Sequence, residues 1–263
     1  MKIHPNHSSP VSQSRFARGI FRSVALPVAA ACMCIAGQAQ AGLLTVANYS
    51  FENPTTGFVS NAITNWTQTD QPNNFNSAYT GGYPWQVTTG IFANNPGPGY
   101  ITNLDGNQSA FFFAVPGDGI YQQTSNTYQA GKNYSLTVGV IGDSQGLPDG
   151  ATMALQLYYN NGGNRTVIGS QTVTENATNF PNHTTAYDYT LNLATVQASD
   201  AWAGQQIGIE LVATSDYPLA GSYWDVDNVR LDEELAPVPE PTSAAVLFVF
   251  GGIAMQLRRR NRR

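Results

Sequence analysis

Tyr134-Ser135-Leu136-Thr137-Val138-Gly139-Val140 places an apolar residue at every second position. That period is the mark of a half-buried β-strand, whose side chains point alternately to core and solvent. Outward from this stretch the pattern recurs. Met153, Leu155, Leu157 and Tyr159 form a second such face, Tyr187, Tyr189, Leu191 and Leu193 a third, and Ile207, Ile209, Leu211 and Ala213 a fourth. Turn-forming clusters separate them at residues 143–150 (DSQGLPDG), 160–164 (NNGGN) and 215–221 (SDYPLAG). Residues 109–115 (SAFFFAV) and 118–123 (DGIYQQ) read as earlier strands. No segment sustains an amphipathic helix of three turns, a single turn near residues 198–203 being the most that is suggested. No internal repeat is visible, which argues against a propeller or solenoid. The pattern predicts an all-β fold, an antiparallel β-sandwich of the jelly-roll type, over residues 42–237.

Charge sets this body apart from its flanks. Only 11% of the 263 residues are charged, against about 25% in an ordinary soluble domain. Residues 1–41 carry +4, residues 42–237 carry −13 and residues 238–263 carry +4. A body of that sign repels phosphates, which excludes nucleic acid as its partner. It suits an extracellular domain or a hard cation such as Ca²⁺.

Both flanks read as addresses. Lys2, Arg15, Arg18 and Arg22 precede the apolar residues 24–35, and Ala39-Gln40-Ala41 supplies small residues at a cleavage site. Residues 1–41 are thus expected to be a signal peptide cut after Ala41, with Ala39 and Ala41 at the site. Cys32 and Cys34 fall within it, so the exported chain has no cysteine. At the other end Pro239-Glu240-Pro241 precedes the apolar residues 242–257 and a closing cluster that includes Arg258, Arg259 and Arg260. One short transmembrane helix held by cytoplasmic arginines is the physical expectation.

The tail at residues 238–263 resembles the PEP-CTERM sorting signal, also called an ice-binding-protein C-terminal domain. The resemblance implies processing by an exosortase near Pro239, Glu240 and Pro241. It also implies a membrane-anchored precursor in a Gram-negative bacterium, and delivery to the cell surface or a biofilm matrix rich in exopolysaccharide. Ice binding itself has no support, because the threonines form no regular ladder.

A second resemblance lies at the two edges of the body. Asn48-Tyr49-Ser50-Phe51-Glu52-Asn53-Pro54, followed by Trp66-Thr67, is similar to the opening of galactose-binding-like jelly rolls, among them carbohydrate-binding modules. Trp224-Asp225-Val226-Asp227-Asn228-Val229-Arg230-Leu231 is similar to their closing strand. The resemblance implies that the first and last strands are neighbours. It also implies a structural Ca²⁺ held by Glu52 and Asp227 with backbone carbonyls, Asp225 being a further ligand. The calcium-binding cyclases of hapalindole-type alkaloid biosynthesis share this opening and closing. For them the resemblance implies an acid near the closing strand, which falls on Asp225 or Asp227.

Two kinds of aromatic residue stand out. Tyr79, Tyr83 and Trp85 lie in a loop punctuated by Gly and Pro (AYTGGYPWQ). They read either as a stacking platform for sugar rings or, for Trp85, as a lid on the sandwich edge. Trp66, Phe111, Phe113 and Trp224 lie on strand-like segments and are assigned to the core. The body has a single histidine, His183, and no cysteine, so neither a zinc cluster nor a Cys–His pair is available. The resulting expectation is a non-catalytic, calcium-stabilised binder or organiser of extracellular polysaccharide. The alternatives are an enzyme on the same fold, cyclase-like or glycan-active, and a purely structural matrix protein. Aromatics on an open concave face favour binding; a deep pocket around Asp225 or Asp227 favours catalysis.

Overall fold

A computed structural model describes residues 42–142 and 146–236. Among them twelve strands form two antiparallel sheets: β1 (Gly42–Leu44), β2 (Val59–Ser60), β3 (Thr67–Gln68), β4 (Thr89–Ala93), β5 (Gln108–Phe113), β6 (Gly119–Thr127), β7 (Lys132–Ile141), β8 (Thr152–Asn161), β9 (Asn164–Thr174), β10 (Tyr187–Leu193), β11 (Gln206–Ala213) and β12 (Tyr223–Leu235). The first sheet runs β10-β7-β12-β5-β4-β2, with β1 also paired to β12; the second runs β3-β6-β11-β8-β9. The helical content of the described residues is three single 3-10 turns, at Ser77–Thr80, Trp85–Val87 and Tyr217–Leu219.

The four alternating faces read from the sequence fall on β7, β8, β10 and β11. Leu136, Val138, Phe112, Trp224 and Val226 of the first sheet meet Ile120, Leu155, Leu157, Ile209 and Leu211 of the second in one core. The β8–β9 turn is the Gly162-Gly163 pair, both at positive φ (61° and 95°), as a two-residue hairpin loop requires. β9 itself escapes the alternation rule. It is an edge strand whose positions are exposed or half-buried except for Val173, so no continuous buried face imprints a period on it.

β12 positions everything that follows. It pairs with β5 through Tyr223–Val226 and with β1 through Leu231–Glu233, on the edge opposite β7. Between these stretches a bulge falls between Asp227 and Arg230, with Asn228 at φ 52°. The Val229 amide there donates to the Tyr49 carbonyl at 2.9 Å. A bulge re-aims side chains at the place where it interrupts the ladder, and here it leaves a gap that the opening turn, residues 48–52, fills. First and last strands are neighbours, as the resemblance implied.

Among the described residues no helix is long and apolar enough to cross a membrane. The expected signal peptide with Ala39 and Ala41, and the expected tail helix with Pro239, Glu240, Pro241, Arg258, Arg259 and Arg260, lie outside the described residues.

Candidate active site

On β5, Ala110 and Phe112 face the core, so Phe111 and Phe113 project from the opposite face of the sheet. On β12, Trp224 and Val226 face the core, and Tyr223, Asp225 and Asp227 share that same outer face. Loops cover this face, which explains why its residues are not solvated. A small apolar cluster of Ile101, Ile141 and Ala186, joined by Phe92 and Leu104, packs there.

This face carries an open pocket of about 480 Å³ lined by Phe58, Val59, Asn61, Tyr83, Val87, Phe92, Gly99, Ile101, Phe111, Phe113, Tyr223 and Asp225. Its back wall is aromatic. The Tyr223 ring meets Phe111 and Phe113 edge to face, with centroids 6.1 and 6.2 Å apart, the geometry in which ring quadrupoles attract. Tyr83 closes the wall from the loop side, 6.1 Å from Phe113. Gly90 makes room for this arrangement, since a Cβ there would strike both the Phe111 ring and the Ser60 carbonyl. Asp225 stands directly across from Phe111 on the neighbouring strand, 6% exposed, and is the carboxyl group of the pocket.

Asp227 has different company. It is fully buried, and its Oδ2 accepts the Asp105 amide at 2.6 Å. Its Oδ1 is buried without a hydrogen bond. Burial pushes the Asp227 carboxyl up to about 8 against the pull of the Asp105 and Asn228 amides, and the charges of Asp105 and Glu52 push further. Glu52 reaches the same edge, where its Oε1 accepts the amides of Asn107 and Gln108, each at 2.8 Å. Gly106, at φ 109°, passes so close to Glu52 that a Cβ there would collide with the carboxylate. The Asp105 carboxylate takes a hydrogen bond from the Tyr49 hydroxyl, which raises that phenol.

The structure therefore brings Glu52 and Asp227 to one edge and turns Asp225 into the aromatic pocket. Among the described residues no group of three or more His, Cys, Asp or Glu side chains is placed to hold a metal ion. The sugar platform is not assembled. Trp85 is 4% exposed, donates from Nε1 to the Thr69 carbonyl at 3.0 Å and packs edge-on against Phe75 at 5.1 Å. It is the lid on the sandwich edge. Tyr79 leans on Tyr217 instead, 4.9 Å away, and Tyr83, 57% exposed, belongs to the mouth of the pocket. His183 lies in a loop, its Nδ1 3.3 Å from the Gly142 carbonyl.

Phe111 and Phe113 are corrections of another kind, being pocket wall where core was expected. Phe58, Phe92 and Tyr223 were not anticipated at all. One signal for them existed. Phe111-Phe112-Phe113 puts aromatics on both faces of a strand, and the second face of such a strand needs a cover.

Residues 42–232 match the family model of the HpiC1 cyclase. Solved structures agree on the fold. The Stig cyclase Fisc from Fischerella sp. TAU, in complex with (3Z)-3-(1-methyl-2-pyrrolidinylidene)-3H-indole, is 21% identical with TM-score 0.57, over 75% of this chain and 100% of that one. A cyclase from the same source in complex with 4-(1H-indol-3-yl)butan-2-one is 21% identical with TM-score 0.56, over the same shares. An apo form cyclase from Fischerella sp. is 21% identical with TM-score 0.59, over 75% of this chain and 98% of that one. No curated relative matches.

These matches overturn the expectation of a PEP-CTERM-sorted, non-catalytic matrix protein with an exosortase and extracellular polysaccharide as partners. The opening and closing motifs behind the binding-module part of that expectation fall at the Glu52–Asp227 edge, and neither of them reports on the pocket. The matched segment runs through both the Glu52–Asp227 edge and the aromatic pocket with its single carboxyl group: the chain belongs to the HpiC1-like cyclase family.

Proposed function

We propose that the protein is an enzyme that closes a ring in an apolar, indole-bearing small molecule by acid catalysis, with Asp225 as the proton donor and acceptor. The observation that carries this reading is the placement of one nearly buried carboxyl group in a pocket lined mainly by aromatic and aliphatic side chains. The bound indole compounds of the two Fischerella cyclases support the substrate class.

In this mechanism the Asp225 carboxyl protonates an unsaturated carbon, and positive charge develops on the substrate. The faces of Phe111, Phe113, Tyr223 and Tyr83 attract that charge as they would a cationic ligand. A second unsaturated group within the same molecule attacks the cationic carbon, a carbon–carbon bond forms, and loss of a proton to the Asp225 carboxylate restores neutrality. One proton enters and one leaves, so product and substrate are isomers. The apolar walls keep water from capturing the cation.

The Glu52–Asp227 edge fits a structural Ca²⁺. A buried carboxylate oxygen without a donor, beside two further acids, lacks a counter-charge, and a hard cation supplies one. Glu52 and Asp227 would hold it with backbone carbonyls, the two side chains alone falling short of a full ligand set. Bound there, calcium would tie the opening turn to β12, while Asp225 lines the pocket. The basic start, the apolar stretch and the Ala39-Gln40-Ala41 site support export of the chain.

The test is incubation of the protein with unsaturated indole-bearing compounds in H₂O and D₂O. The expected product is a cyclic isomer of unchanged mass in H₂O that carries one deuterium in D₂O, and Asp225→Asn abolishes it. Failure of the wild-type protein to bind 4-(1H-indol-3-yl)butan-2-one, or mapping of that probe away from the pocket, would overturn the reading.

A further inference from the structure

One buried acid outside the pocket has a place in its construction. Asp118, at the entrance to β6, is fully buried. Its Oδ2 accepts the amide of Phe113 at 3.0 Å. Its Oδ1 accepts the Gly119 amide and the Gln68 Nε2, each at 3.1 Å. Gln68 Nε2 also reaches the Trp85 carbonyl at 2.7 Å and the Thr88 hydroxyl at 2.9 Å. The Thr88 carbonyl in turn accepts the Phe113 amide at 2.9 Å. The carboxylate and the amide thus join two walls of the pocket, the β5 wall at Phe113 and the loop wall that carries Tyr83 and Val87. Those walls meet at the Tyr83–Phe113 ring contact.

We propose that Asp118, acting through Gln68 and the Phe113 amide, is a positioning residue that sets the spacing of the two aromatic walls. The proposal rests on the pocket being the site of reaction. Ionised Asp118 takes hydrogen bonds from the Gln68, Phe113 and Gly119 N–H groups and from the Thr88 side chain, so both of its oxygens then serve as acceptors. Asp118→Asn aims an N–H₂ at one of those donors, whichever way the amide turns. Gln68→Leu removes the amide's bonds to the Trp85 carbonyl and the Thr88 hydroxyl and leaves the carboxylate in place.

The experiment uses protein labelled with 3-fluorotyrosine, its Tyr83 resonance assigned through Tyr83→Phe. In both variants the Tyr83 signal is expected to move or broaden, while the signal of core Tyr159 stays in place. General loosening of the fold would move both. Binding of 4-(1H-indol-3-yl)butan-2-one is expected to weaken about tenfold or more, since displaced walls no longer match a flat ligand. A Tyr83 signal unchanged in folded Gln68→Leu protein would overturn the proposal, and that variant decides the matter if Asp118→Asn does not fold. If Tyr83 moves while the wild-type protein does not bind the probe, the positioning role stands and the indole reading falls.

Discussion

Asp225 and Asp227 stand two residues apart on one face of β12, about 6.6 Å along the strand, yet their carboxyl groups serve different places. Asp225 lines the aromatic pocket across from Phe111, and Asp227 lies buried beneath the Asp105 amide at the edge where Glu52 arrives. The strand divides here: its pairing with β5 stops at Val226, the ladder with β7 is interrupted between Asp227 and Arg230, and the opening turn docks at Val229. Chemistry and scaffold are thereby separable by mutation.

Asp225→Asn is expected to lower turnover by about 10²–10⁴, the usual worth of a general acid. Affinity for 4-(1H-indol-3-yl)butan-2-one should change little, since the aromatic walls remain. Steady-state kinetics beside calorimetric titration make the comparison. An equal loss in both would place Asp225 in binding and not in proton transfer.

Calcium is expected to raise the melting temperature, and a chelator to reverse the rise, because a ligand bound only by the folded state stabilises it. Glu52→Gln and Asp227→Asn should each abolish the calcium-dependent rise, and Asp225→Asn should retain it. Thermal melts of the four proteins with and without calcium decide which of the three carboxylates serve the edge.

The two aromatics of the Gly/Pro-rich loop should part company. Trp85→Ala removes a buried side chain and leaves the Thr69 carbonyl without its donor, a loss of about 3–5 kcal/mol in unfolding free energy. Tyr83→Ala, at an exposed position, should leave stability almost unchanged and weaken binding of the indole ketone. Denaturant titrations and calorimetry read the two effects separately.

Burial raises the Asp118 carboxyl to about 7, against the pull of Gln68, Thr88 and the Phe113 and Gly119 amides. The folded protein therefore holds this proton between about pH 4 and 7, where the unfolded chain has lost it. By linkage its contribution makes stability fall as pH rises through that window and level off above it. Asp118→Asn lacks this slope. The difference between the two proteins across pH 4–8, in which the same-signed contributions of Asp227 and Glu210 cancel, should change by a few kcal/mol. A flat difference would mean that Asp118 ionises without penalty.

The alternation of apolar residues along β7, β8, β10 and β11 was legible in the sequence because a half-buried strand imposes a period of two on its own residues. So was the meeting of the first and last strands, since Glu52 and Asp227 each sit in a recognisable short motif. Alternation has a blind spot, however: it says that a strand has two faces and not what lies against each. Phe111 and Phe113 read as core for that reason. Only the loops folded over the outer face, brought there from residues 58–61, 83–87 and 99–101, turn them into the wall of a pocket. The Asp118 network is hidden by distance, its partners Gln68 and Asp118 being 50 residues apart. The sequence by itself determined the two-sheet scaffold and its acidic edge, because those follow from local periodicity and contiguous motifs. The tertiary structure alone decided which carboxyl group meets the aromatic pocket, because that depends on a bulge and on contacts between segments that carry no common pattern.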